Sequence, residues 1–331
     1  MEWDLVADIG GTNTRLARVH SGEILGTKTF PTKSDKTLVQ LIHGFIEDQP
    51  TQPGRAVVAM AGPVRDGTVT LTNAQNPITG VFQSLAEDEV AQLTQSNRAR
   101  IINDFEAAAW ALATVQPQEV HGLQGDGVLK PGNRLIVGPG TGLGVGTLVK
   151  TAHGFQAVPG EGGHIGISPQ SPEERQVFQA FGKIWPETMM RQPSARFEAE
   201  AMLSGTGLPR LYNAACDSIG QPCKIHDAEG VLAAAKLGLS NQARVTLEIF
   251  KRHLGQVIGD LAITNHASGG VFLAGGVATK NPWIFDDMFF ETFNAGGRER
   301  FSQARSGLSV FLYQNDNFGL IGAANALAFG N

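Results

Sequence analysis

The chain has 331 residues, 42% of them hydrophobic and 17% charged, with a formal net charge of −5. That is enough chain for two domains with separate cores, in an ordinary globular composition. The acid excess offers no global attraction for nucleic acid or an anionic bilayer, and no apolar run reaches the roughly 20 residues of a membrane span. Cys216 and Cys223 make neither a disulfide framework nor a zinc site. The opening Glu2-Trp3-Asp4 lacks the basic and apolar regions of a signal peptide, so a reducing, cytoplasmic setting is expected.

In chain order, residues 5–9 form an apolar run that reaches Asp8-Ile9-Gly10-Gly11-Thr12-Asn13, and 16–19 resume it. This predicts strand, tight turn, strand. Glycine suits such a turn to phosphate, because no Cβ stands between the anion and the backbone N–H groups. Residues 56–61 predict a buried strand closed by Gly62-Pro63, and 100–103 another that leads into an alanine-rich helix over 105–113. Residues 135–137 enter a second glycine turn, Gly138-Pro139-Gly140-Thr141-Gly142-Leu143-Gly144, and 144–149 leave it. The segment 168–193, with its prolines and Glu173-Glu174, gives no clear element. Leu247, Phe250, Leu254, Val257, Ile258 and Leu261 fall at helical spacing and predict a long amphipathic helix. A strand over 271–274 follows, within a third glycine-rich segment that ends at Gly275-Gly276. Residues 319–329 predict a closing helix.

Gly11-Thr12 and Gly140-Thr141 hold the same place in two strand–turn–strand units about 130 residues apart, which argues for pseudo-symmetric halves around a nucleotide. The turns are not the commoner phosphate motifs. Gly182-Lys183 is followed by Ile184 rather than Ser or Thr, and Leu143 stands where the dinucleotide fingerprint needs a glycine. No His-Arg-Asp kinase loop is present.

Asp8 ends the first strand and either caps its turn or holds Mg²⁺ through water, with Thr12 and Asn13 on phosphate oxygens. Asn103-Asp104 precedes a helix. Asp104 either caps it or takes the proton from a substrate hydroxyl, with Asn103 orienting that substrate. Pro159-Gly160-Glu161-Gly162-Gly163-His164 places a carboxylate and an imidazole on a glycine-rich loop that suits the hydroxyls of a sugar. The two glycines argue against a helical metal motif, and His164 alone could be structural. Glu198 and Glu200 lie in a further acidic stretch, where Glu198 reads as an exposed helix carboxylate.

Together these motifs resemble the bacterial glucokinases of the sugar kinase/actin-like ATPase superfamily, from Asp8–Arg15 through Pro159–His164 and Glu200–Gly207 to Asp316–Gly322. The resemblance implies an α/β, ribonuclease H-like fold with duplicated mixed sheets flanked by helices. It places an interdomain cleft between a small domain (1–113 plus 315–331) and a large one (114–314). It implies transfer of phosphate from ATP to the 6-hydroxyl of D-glucose, a reaction of glycolysis, with Asp104 as base. Asn103, Glu161, His164 and Glu200 would hold the sugar. Asp8, Gly10, Gly11, Thr12, Asn13, Gly140 and Thr141 would serve the phosphates and Mg²⁺, with Gly275 and Gly276 against the adenosine. A homodimer is also implied. Two departures are visible. Ile165–Pro169 carries no cysteine, as in the zinc-free group, and Ala74-Gln75-Asn76-Pro77 follows Thr72-Asn73 where relatives often carry a tryptophan. Sugar-side packing is therefore expected to differ.

Overall fold

The computed structural model describes residues 2–96, 98–191 and 196–330, with Thr72 and Asn73 described in their backbone alone. The side chains of that pair therefore lie outside the described residues. The chain divides into two compact units, one of residues 1–116, 146–160 and 315–331, the other of 117–145 and 161–314.

The first unit opens with β1 (Asp4–Ile9), β2 (Asn13–His20), β3 (Glu23–Pro31) and α1 (Leu38–Glu47). It continues through β4 (Ala56–Met60), β5 (Thr68–Gln75), β6 (Phe82–Ala86), α2 (Glu87–Thr94), β7 (Ala99–Asn103) and α3 (Asp104–Ala111). Its main sheet has the order β3-β2-β1-β4-β7. β1 pairs antiparallel with β2, as its hairpin sequence predicts, and parallel with β4, which pairs parallel with β7. Leu5, Val6, Ala7 and Ile9 are fully buried, as expected of a strand covered on both faces.

Along the rest of the chain run β8 (Val120–Gln124), β9 (Arg134–Pro139), β10 (Leu143–Thr151), β11 (Gly154–Val158), β12 (Gly166–Ile167), α4 (Pro172–Ile184), β13 (Phe197–Glu198) and α5 (Ala199–Met202). Then come α6 (Gly207–Asp217), α7 (Ala228–Lys236), α8 (Asn241–Thr264), β14 (Gly270–Leu273), α9 (Gly275–Lys280), α10 (Asp287–Phe293), α11 (Glu299–Ser306), β15 (Val310–Tyr313) and α12 (Phe318–Phe329). A six-stranded sheet runs β11-β10-β9-β14-β15-β8, and β14 is parallel to both β9 and β15. Phe178, Phe181, Phe197, Phe250, Phe289 and Phe293 fill the core of the second unit. α8 appears where its apolar spacing placed it.

One difference from the sequence expectation has a clear cause. The segment 168–193 contains a 13-residue helix, α4, because Pro172 sits at the helix start and Ser171 caps it by accepting the Glu174 N–H. Proline there begins a helix rather than breaking one. The third glycine segment leads from a strand into a helix. Gly270 already belongs to β14, and Gly275, at φ +81°, turns the chain directly into α9.

α12 returns to the first unit and is buried along most of its length. Gly322 lies so close to the Ala107 backbone of α3 that a Cβ would overlap its carbonyl. Asn325 donates to the Trp110 carbonyl at 2.9 Å, tying the two helices together.

Candidate functional site

In the first unit the β1–β2 turn closes with the Gly10 N–H on the Asn13 carbonyl at 2.9 Å. Thr32 braces it from behind, donating its hydroxyl to the Gly10 carbonyl at 2.7 Å and its N–H to the Thr12 carbonyl at 2.9 Å. Thr12 and Asn13 stay exposed. Asp8 does not cap the turn. It stands opposite Arg15 in the hairpin register, and Arg15 Nη1 reaches Asp8 Oδ2 at 2.8 Å. Gly319, at the start of α12, packs so closely that a Cβ would lie 2.5 Å from the Asp8 carboxyl carbon. Burial raises the Asp8 pKa above its ordinary value, while the Arg15 hydrogen bond and charge pull it the other way. Arg15 escaped the sequence reading, although the hairpin register contains the signal for it.

In β4 and β7, Met60 pairs with Asn103, and in β1 and β4 Ile9 pairs with Met60. The Asp8 turn and the Asn103-Asp104 pair therefore emerge at the same carboxyl edge, where α/β sheets bind ligands. Asn103 is the residue that caps the helix, and Asp104 Oδ1 also accepts the Phe105 N–H at 3.0 Å. Asn103 Oδ1 accepts the N–H groups of Phe105 at 2.7 Å and Glu106 at 3.3 Å, and its Nδ2 donates to the Gly62 carbonyl at 2.9 Å. Asp104 is the first residue of α3, at the positive end of the helix dipole.

In the second unit, Gly140 N–H donates to the Gly142 carbonyl at 2.8 Å, and Gly205 N–H to the Gly140 carbonyl at 2.7 Å. Thr206 donates its hydroxyl to the Thr141 carbonyl. Glu200 braces the same turn. Its Oε2 accepts the Leu143 N–H at 2.8 Å, and a Cβ on Gly142 would overlap its carboxylate. Thr141 is exposed. Val137 and Leu273 pair in the parallel β9–β14 ladder, so the glycine turn and Gly275-Gly276 share one edge. A Cβ on Gly275 would lie 2.9 Å from the Pro139 carbonyl oxygen, whereas Gly276 faces open space.

Gly162–His164 form one 3₁₀ turn, although two glycines argue against a helix. Packing explains it. A Cβ on Gly163 would overlap the Leu143 carbonyl, and one on Gly162 would come within 2.8 Å of the Val145 side chain. The loop lies against β10 and can hold only glycine there. His164 and Glu161 are half-exposed, with Nε2 4.0 Å from the Glu161 carboxylate. The other ring nitrogen lies 3.6 Å from Glu198. Glu198 is thus a residue of β13 facing His164, not a helix carboxylate facing water alone.

In the stretch 74–77, Asn76 is buried and accepts the N–H groups of Ile78 at 2.9 Å and Thr79 at 3.0 Å, shaping the β5–β6 connection. Among the described residues no three His, Cys, Asp or Glu side chains gather as a metal cage. Mg²⁺ needs none, since it binds through one or two carboxylates and the substrate phosphates while keeping its waters. Asp8 fits that outer role, for its Oδ2 is taken by Arg15 and, among the described residues, no hydrogen bond reaches its Oδ1.

Two strand–turn–strand units with glycine turns at the carboxyl edges of mixed sheets define the sugar kinase/actin-like ATPase class. The glucokinase family model matches residues 5–329. The glucokinase of Sinorhizobium medicae is 36% identical over 281 residues, which cover 83% of this chain and 78% of that protein. The crystal structure of a glucokinase from an Antarctic psychrotroph superposes with a TM-score of 0.80 at 30% identity, over 99% of both chains. A glucokinase from Balamuthia mandrillaris, solved with glucose, shares the fold with a TM-score of 0.77 at 22% identity, over 98% of this chain and 92% of that one. The chain belongs to the glucokinase family.

Proposed function

We propose that Asp104 is the general base in the phosphorylation of D-glucose by ATP, the glycolytic reaction for which the family is named. The Asp104 carboxylate takes the proton of the 6-hydroxyl as that oxygen bonds to the γ-phosphorus. The bond from the γ-phosphorus to the bridging oxygen breaks, and ADP leaves. This transfer needs positioning and charge stabilisation more than covalent help from the protein. The backbone at Gly10, Gly11, Thr12, Asn13, Gly140 and Thr141 holds the phosphates, and Gly275-Gly276 lets the adenosine approach. Asp8 would hold Mg²⁺ through water, and the ion would supply positive charge against the phosphates. Glu161, His164 and Glu200 hold sugar hydroxyls, Glu200 through its Oε1. Asn103 serves chiefly as the helix cap and has one amide N–H left for the sugar. The residues act in a cytoplasmic homodimer in this reading.

The observation that carries the proposal is the place of Asp104. It is the first residue of α3, at the positive end of the helix dipole and at the same carboxyl edge as the Asp8 turn. Asp104→Asn is expected to lower kcat by roughly 10²- to 10⁴-fold while glucose binding, followed by calorimetry, stays near that of the unaltered chain. Turnover close to normal in this variant would reject Asp104 as the base.

A further inference from the structure

We propose that Glu198 is a positioning residue for sugar recognition, fixing the ring of His164 so that its Nε2 edge meets the substrate. The inference rests on the reading of Glu161 and His164 as sugar-binding residues, and it adds a member that neither composition nor motif suggests.

Three observations converge on it. First, the backbone of Glu198 is tied to the sugar loop. β12 and β13 pair antiparallel with Gly166 opposite Glu198, and the Ala199 N–H donates to the Ile165 carbonyl at 2.8 Å. The carboxylate thus starts from a strand bonded to the residues just after His164. Second, β13 is anchored from its other face. Side chains alternate along a strand, and Phe197 is buried against Phe178 and Phe181 with ring centroids 5.7 and 5.6 Å apart. With Phe197 fixed in the core, Glu198 is turned away from the core toward the loop. Third, the ring of His164 has a carboxylate on each side, Glu198 3.6 Å from Nδ1 and Glu161 4.0 Å from Nε2. An imidazole with one nitrogen facing a carboxylate at ion-pair distance has its orientation and proton placement biased there, which leaves the opposite nitrogen for the ligand.

The two acidic residues of this stretch therefore divide the work. Glu200 holds the phosphate turn through Leu143, and Glu198 holds the sugar histidine. A carboxylate at position 198 with no such duty would leave glucose affinity unchanged when removed.

The test is a double-mutant cycle on glucose kinetics with Glu198→Ala and His164→Asn. Glu198→Ala is expected to raise the glucose KM about threefold to fivefold, the scale of a half-exposed ion pair. Its kcat and ATP KM should be nearly unchanged, and Glu198→Gln, which keeps an acceptor oxygen, should recover part of the loss. In the His164→Asn background Glu198→Ala should add nothing. Nitrogen-15 spectra of the labelled imidazole should show Nδ1 protonated in the unaltered chain and a shifted tautomer balance in Glu198→Ala, a change that mere loosening of β13 does not predict. An unchanged glucose KM in Glu198→Ala, or the same rise with and without His164, overturns the assignment. If His164→Asn itself leaves the glucose KM unchanged, the sugar-loop reading fails and this inference with it. If His164→Asn raises it while Glu198→Ala does not, only the role of Glu198 falls.

Discussion

Asp8 in the first unit, partly buried, and Glu174 in the second, buried, are both carboxylates beside cationic partners, yet their surroundings act on them in opposite directions. At Asp8 burial dominates, and a single hydrogen bond and charge from Arg15 leave its pKa raised. At Glu174 burial is also the largest influence. It is outweighed by the His253 hydrogen bond at 3.0 Å, the Gln170 N–H at 2.7 Å and the charges of His253 and Arg252, so the pKa is lowered. A carboxylate surrounded by partners holds the fold together. One left short of partners, at the edge of a sheet beside a glycine turn, is kept at a cost, which the cation of the proposed mechanism would offset.

The comparison breaks most visibly on activity. Asp8→Asn should reduce kcat/KM by about 10- to 100-fold, the range for groups that act on a metal through an intermediate shell. Melting followed by circular dichroism should show the same variant at least as stable as the parent at pH 7, since the amide needs no charge in a desolvated site. A marked drop in its melting temperature would place Asp8 among the structural carboxylates instead.

Glu174→Ala should behave in the reverse way. It strands the fully buried His253 without its partner, so denaturant titration should show a stability loss of about 3 kcal/mol, with glucose kinetics little changed in the folded fraction. The pH dependence sharpens the contrast by a smaller amount. Because the Glu174 pKa is lowered from its ordinary 4.5, its contribution is complete above that value and is lost as pH falls through the folded-state pKa. The stability gap between the parent chain and Glu174→Ala should therefore narrow below about pH 4.5. A gap that widens on acidification would show that the pair does not stabilise the charged carboxylate.

Much of the frame was legible before any coordinates, and the failures are instructive. The β1–β2 and β9–β10 hairpins, α8 and α12 follow from apolar period and glycine placement, which are local properties of the chain. Residues whose roles depend on a partner distant in sequence were not legible. Glu200 reaches Leu143 across 57 positions, and Glu198 meets His164 only because two short strands pair. α4 was hidden because proline reads as a breaker until its capping serine is recognised. Gly162 and Gly163 looked like loop flexibility, whereas their packing against Val145 and Leu143 demands the absence of a side chain. At Asn103-Asp104 the sequence points to a helix cap, and Asn103 takes the larger share of it by accepting two N–H groups where Asp104 accepts one.

The most direct measurement is ADP release from Mg·ATP by the unaltered chain, with glucose, mannose, fructose and N-acetylglucosamine offered singly. The account predicts sugar-dependent turnover that is strongest with glucose. Preference for another of these sugars would contradict the glucose assignment, and ADP release indifferent to sugar, or none at all, would contradict the kinase mechanism built on Asp104.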